Sequence, residues 1–180
     1  MAEQFSIAQT FLRLFVILMG IEIVGGFHET IVVTTLWSLA TPDSVIAYYR
    51  YNVSNPQFAL NADGRFWIFF APLVGLLSIA ILISSRKMRP EHRRWRTASA
   101  ILALIVVVFT FAWFVPNIIL IGQGGAGRSE DQIISLTNWW VRLNWMRTVL
   151  CSAALLAALR ALSIPLNVGN NIKPHYCLNY

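Results

Sequence analysis

The sequence predicts an all-α integral membrane protein, a four-helix up-down-up-down bundle, and three observations predict it. Of its 180 residues 57% are hydrophobic and only 12% charged, with a mean hydropathy of +0.60, whereas a soluble domain usually carries about 25% charged residues. The apolar residues fall into four runs of membrane-crossing length. Short connections between an even number of runs imply spans that alternate in direction. The length suits one domain, expected over residues 1–166. Residues 167–180, with Asn, Gly, Pro and no period, read as a flexible cytoplasmic tail.

The spans are expected at about 11–39, 66–84, 98–121 and 137–163. The first is expected to be no cleaved signal peptide, because residues 1–10 carry Glu3 and no basic residue, and no small-residue cleavage site follows a short apolar core. Its length of ~43 Å exceeds a hydrocarbon core of ~30 Å, so it tilts or projects. Pro72 lies near the outer end of the second span and Pro116 near the end of the third. Gly122 to Gly127 then breaks the chain, and Pro165 closes the fourth span.

The net charge of +6 is concentrated: Arg86, Lys87, Arg89, Arg93, Arg94 and Arg96 stand between the second and third spans. A short basic run between apolar stretches follows the positive-inside rule. We read it as a cytoplasmic loop against anionic headgroups, with both termini cytoplasmic and no nucleic-acid partner. The outer segments 41–65 and 122–136 hold Arg50, Arg65 and Arg128 against Asp43, Asp63, Glu130 and Asp131, and include the sequon Asn52-Val53-Ser54. Cys151, in an apolar helix, and Cys177, in the tail, form neither a disulfide framework nor a zinc cluster.

Charged groups inside a membrane usually face the protein interior with a partner. Counted from the outer helix ends, Glu29 and His28 lie ~10 to 12 Å deep, Glu22 ~20 Å, Arg142 ~7 Å, Asn144 ~10 Å, Arg147 ~15 Å, Asn117 ~6 Å and Trp113 ~12 Å. Glu22, Gly25, Gly26 and Glu29 share one helix face, the glycines cutting a notch between two carboxylates. Trp140, Asn144, Arg147, Thr148 and Cys151 make a second polar stripe, and Trp113, Pro116 and Asn117 share a third face. These predict a polar pocket in the outer half, lined by spans one, three and four, with Arg147 meeting Glu22 or Glu29.

His28, assisted by Glu29, is the expected general base, since imidazole titrates near neutrality. Arg147 and Arg142 would hold an acidic hydroxyl or oxyanion, with Asn144 and Asn117 as further donors. Trp113 and Trp140 would pack on a flat aromatic molecule, while Trp139 and Trp140 also suit an interface belt. The metal reading is thin, because His28 is the single histidine within the spans; His92 and His175 belong to the other side. No resident cofactor is expected, although bound iron, copper or haem stays open.

Three further stretches carry a likeness: Asn55-Pro56-Gln57-Phe58, Pro116-Asn117, and Trp140-Val141-Arg142-Leu143-Asn144-Trp145-Met146-Arg147-Thr148. Their order and spacing resemble the small four-helix membrane proteins that include the fungal anthrone oxygenases. Ile118 departs from the family, which often has a second Asn there, and His28 and Glu29 match no family motif. The resemblance implies oxidation of an anthrone to an anthraquinone by molecular oxygen, the co-substrate, without an obvious cofactor. The expected function is therefore an oxygenase or related oxidoreductase acting on a flat lipophilic aromatic through proton abstraction. The alternative is a non-enzymatic binding, scaffold or accessory protein whose buried ion pairs are structural, favoured if acid and arginine close on each other with no cavity. A small transporter would need a homo-oligomer, because four helices enclose only a narrow path.

Overall fold

The computed structural model describes residues 2–54, 62–86, 88–122 and 127–165. Among these the chain is helical without strands, and four helical stretches are long and apolar enough to cross a membrane: Ile7–Ser38, Phe66–Ser85, Pro90–Leu120 and Glu130–Ser163. The chain is an all-α integral membrane bundle. Val24, Leu36, Leu76, Val108, Val149 and Leu156 stand on its outer surface, where lipid tails solvate them at no cost.

Span one comprises α1 (Ala2–His28), a π turn (Glu29–Val33) and α2 (Thr34–Ser38). Helix α3 (Asp43–Ser54) follows, then α4 (Ala62–Ser85), which is span two. Span three is α5 (Pro90–Phe109), a second π turn (Thr110–Phe114) and α6 (Val115–Gly122); span four is α7 (Glu130–Ser163). Helix α1 packs on α4 and α7, and α5 packs on the same two, so the spans form a ring in the order one, two, three, four. Without a hydrophobic driving force between helices in lipid, close approach rests on small residues. Ala100, Ala103, Ala154 and Ala158 are fully buried in the core.

One end of the bundle is basic. Arg96, only 1% exposed, donates from Nη2 to the Ala8 carbonyl at 2.6 Å and from Nε to Ser85 Oγ at 3.2 Å. His92 Nε2 lies 3.3 Å from the Pro165 carbonyl. These contacts gather the start of span one, the end of two, the start of three and the end of four. At the distal end α3 touches both α2 and α6. Neighbouring spans therefore run antiparallel.

Three boundaries correct the sequence reading. Pro90 opens span three at the first helical position, where its missing N–H costs nothing, so the basic run is only partly loop and its last members ride on α5. Arg96 and His92 are buried there instead of touching headgroups. Span four starts at Glu130, not 137, because Ser129 and Gln132 form a reciprocal capping box. The segment 41–65, expected as loop, contains α3. The tail from residue 166 and the element Asn55–Phe58 lie outside the described residues.

The π turns change which residues face inward. In span one the seven-residue series Leu12, Met19, Gly26 would continue to Val33, but the wider turn buries Thr34 instead, after Glu29 and Thr30. In span three His92, Ser99, Val106 would continue to Trp113, and the turn buries Phe114 instead. The wide turns are closed by Thr34 N–H donating to the Glu29 carbonyl and Val115 N–H to that of Thr110. Both shifts fall at the same level of the bundle.

Candidate functional site

At that level all four spans meet at one buried ion pair. Glu29 Oε2 accepts from Arg147 Nη2 at 2.9 Å and from Trp67 Nε1 at 2.5 Å; Oε1 accepts from Asn144 Nδ2 at a longer 3.4 Å. Glu29 and Arg147 are the salt bridge among the described residues, and both are buried. The Arg147 guanidinium lies over two rings, its carbon 4.0 Å from the Trp67 centroid and 4.8 Å from that of Phe114. A cation over aromatic faces is attracted by the ring quadrupole, more strongly where water is excluded. Thus spans one, two, three and four each supply a group: Glu29, Trp67, Phe114, and Arg147 with Asn144.

The glycine notch is filled by protein. A Cβ on Gly25 would stand 2.6 Å from the Phe66 ring, and one on Gly26 would stand 3.1 Å from Thr148 Oγ1. Gly25 therefore admits span two and Gly26 span four, which lets Trp67 and Arg147 reach Glu29. Glu22, seven residues deeper on the same face, has the Cys151 thiol 4.0 Å from Oε2 and makes no salt bridge with Arg147, although the guanidinium is close enough for its charge to act on it.

An aromatic wall covers the distal side of the pair. Phe114 and Trp140 meet edge to face at 4.8 Å, Trp37 abuts Trp140 at 6.0 Å, and Trp113 lies 5.6 Å from Trp140. Behind Trp113, between the distal ends of spans three and four, is an open depression of about 600 Å³. Trp113, Leu136, Leu143 and Trp139 give it apolar walls, and Arg128, Gln132 and Ser135 a polar rim.

A family model described as anthrone oxygenase matches residues 64–157, just over half of the chain. The chain belongs to the anthrone oxygenase family. No curated protein and no solved structure matches it. The matched stretch of this anthrone oxygenase family member holds Trp67, Phe114, Asn144 and Arg147. Glu29, the acid they surround, comes from span one, ahead of it.

The expected site residues separate into two groups. Glu29, Asn144 and Arg147 come together, with Trp140 and Trp113 in the adjoining wall. His28 does not join them: it is exposed on the outside of span one, one residue and about 100° round from Glu29. Arg142 is likewise exposed, its guanidinium 5.9 Å from the Trp139 ring and away from Arg147. Asn117 is half-buried and donates to the Trp113 carbonyl in its own helix at 2.7 Å, not to the Glu29–Arg147 pair. Span two was missing from the expected lining, although it supplies Trp67. Its aromatic run Phe66-Trp67 opposite the Gly25-Gly26 notch was the available signal. Among the described residues no three His, Cys, Asp or Glu side chains converge as metal ligands, and Glu22, Glu29 and His28 in particular do not.

Proposed function

We propose that this protein is a membrane-embedded oxygenase, or a related oxidoreductase, acting on a flat lipophilic aromatic with an acidic C–H or O–H bond. The observation that supports it is the Glu29–Arg147 pair, desolvated, addressed by all four spans and separated from an aromatic-walled depression by Trp113, Phe114 and Trp140. The basic end faces the cytoplasm in this reading, as the positive-inside rule requires. The depression then opens toward the outer leaflet, and an apolar substrate enters it without crossing water.

Glu29, rather than the exposed His28, takes the substrate proton. Oε2 is engaged by Arg147 and Trp67, while Oε1 has only the long Asn144 contact and is the oxygen available for protonation. Protonation neutralises Glu29 and leaves the Arg147 charge to the new substrate anion, so the guanidinium exchanges one counter-ion for another without net change. Low polarity around the pair strengthens that interaction. The electron-rich anion then reacts with molecular oxygen. In the anthrone-type reaction a methylene carbon loses two hydrogens and gains one oxygen atom as a ketone, and the second oxygen leaves as water. Trp113 and Trp140 pack on the rings during this step.

The test is anaerobic loading of the purified protein with a polycyclic phenol or anthrone, then admission of oxygen. Stoichiometric oxygen uptake with ketone formation, lost by ~10²-fold or more in Glu29→Gln, supports the reading. No oxidation by the intact protein sinks it.

A second reading has its own observation. Glu29 and Arg147 close on each other, and three donors surround one carboxylate, which is how a structural pin between helices is built. In that case the protein is a binding or accessory component, and the depression holds a ligand without turnover.

A further inference from the structure

Glu22 is a buried acid that the proposed reaction does not use. It is 3% exposed and stands seven residues nearer the basic end than Glu29. Among the described residues its hydrogen-bond contact is the Cys151 thiol, itself 3% exposed, at 4.0 Å from Oε2. A thiol is a weak donor and gives a carboxylate little in place of water. No salt bridge among the described residues reaches Glu22. An ionisable side chain inside a membrane is costly and normally has a charged or strongly polar partner.

The charges of the bundle interior can be counted span by span. Span two, from Phe66 to Ser85, holds no ionisable side chain, and span three holds none after Arg96. Span one between Arg13 and Ser38 contributes Glu22, His28 and Glu29; span four between Thr137 and Leu159 contributes Arg142, Arg147 and Cys151. His28 and Arg142 are exposed on the outside. Two carboxyls, one guanidinium and one thiol remain inside. Arg147, 2% exposed, is committed to Glu29 at 2.9 Å. One cation offsets one anion. With both acids ionised the interior would hold an uncompensated charge in surroundings of low polarity, where a buried group ordinarily sheds its charge instead.

The same geometry puts both acids within the field of one arginine. Glu22 and Glu29 are two turns apart on one face of α1, ~10 Å along its axis. Cys151, which meets Glu22, is one turn of α7 from Arg147, a rise of ~6 Å. Arg147 therefore springs from a level between the two acids, and its charge acts on Glu22 from where it stands. The rings of Trp67 and Phe114 keep the guanidinium on the Glu29 side at rest.

We propose that Glu22 is a proton-carrying acid and the reserve counter-ion of Arg147: it keeps its proton while Glu29 is ionised and gives it up when Glu29 becomes neutral with no other anion at the site. In that exchange a Glu29 oxygen gains a proton, the O–H bond of Glu22 breaks, and its proton passes to the medium. Arg147 stays protonated and changes partners; nothing is oxidised, and the interior remains neutral. A substrate anion beside Arg147 would take the same single place, and Glu22 would then retain its proton. The two acids thus titrate as one coupled set, which lets Glu29 be neutralised without stranding a buried cation. This goes beyond the oxygenase reading and does not depend on it.

Infrared spectroscopy reads the protonation of both acids without substrate, so turnover plays no part. Purified wild type in lipid nanodiscs at neutral pH should show the carbonyl stretch of a single protonated carboxyl, shifted by isotope-labelled glutamate and lost in Glu22→Gln. In Glu29→Gln the stretch should vanish too, because Glu22 ionises to face Arg147; Glu29→Leu makes the same test if the amide variant fails to fold. Adding Arg147→Met to Glu29→Gln removes the cation and should bring the stretch back. A wild type without it, in which both acids are ionised, overturns the proposal. So does a stretch that persists in Glu29→Gln, the result if Glu22 is only a neutral packing residue, or one that persists in Glu22→Gln. A double variant that lacks the stretch overturns it as well.

Discussion

Trp67 holds both partners of the buried ion pair at once: its indole N–H donates to the Glu29 oxygen that Arg147 also holds, and its ring carries the Arg147 guanidinium 4.0 Å above its centroid. One residue of span two thereby fixes the distance between an acid on span one and a base on span four. Its two contacts can be separated. Trp67→Phe keeps a ring face and removes the donor, and should cost about 1.5–3 kcal/mol, the value of a hydrogen bond to a charged group. Trp67→Leu removes both and should cost a further ~0.5–2 kcal/mol. Thermal unfolding in detergent checks the order; equal losses in the two variants would show that the ring face contributes nothing.

Removing half of the pair should be worse than removing all of it. Arg147→Met leaves Glu29 buried without its counter-ion, with an expected loss of ~3 to 5 kcal/mol. Adding Glu29→Gln to that background should return most of the stability, because a neutral amide still accepts from Trp67. Arg128→Ala, at the rim of the depression, should change stability little. A double variant no more stable than Arg147→Met contradicts the pairing seen here.

The glycines of α1 should differ sharply in tolerance. Gly25→Ala pushes a methyl into the Phe66 ring, 2.6 Å from the new carbon, and should destabilise by about 1–3 kcal/mol through displacement of span two. Gly20→Ala meets nothing within 4 Å and should be neutral or stabilising by up to ~1 kcal/mol. Melting temperatures of the two variants decide this directly.

His28→Ala should leave stability and turnover unchanged, the latter within about twofold, because the imidazole is outside the bundle. A surface substitution of this kind ordinarily stays within about 0.5 kcal/mol. A large loss of oxidation in a folded His28→Ala protein would restore histidine as the base and displace Glu29.

Orientation is checked at the capping box. Asp131→Cys, exposed at the start of span four, should react with an impermeant maleimide added outside intact cells when Cys177 is replaced by serine. Labelling only after the cytoplasmic side is opened would invert the topology proposed from the basic end.

The membrane class, the four spans and their alternation were legible from hydropathy and the even count of apolar runs, in a solvent that forbids unpaired backbone. The sequence also placed Glu29, Asn144 and Arg147 at one depth, since rise per residue is nearly constant along a helix. Rotation about the helix axis was another matter. Two five-residue π turns advance the inward face by one residue, from Val33 to Thr34 and from Trp113 to Phe114, and no periodic pattern announces them. Local periodicity likewise could not choose between Glu22 and Glu29 for Arg147, nor send His28 and Arg142 outward. Those decisions were made by tertiary packing: Gly25 admits Phe66 and Gly26 admits Thr148, which brings spans two and four close to span one and delivers Trp67 and Arg147 to Glu29.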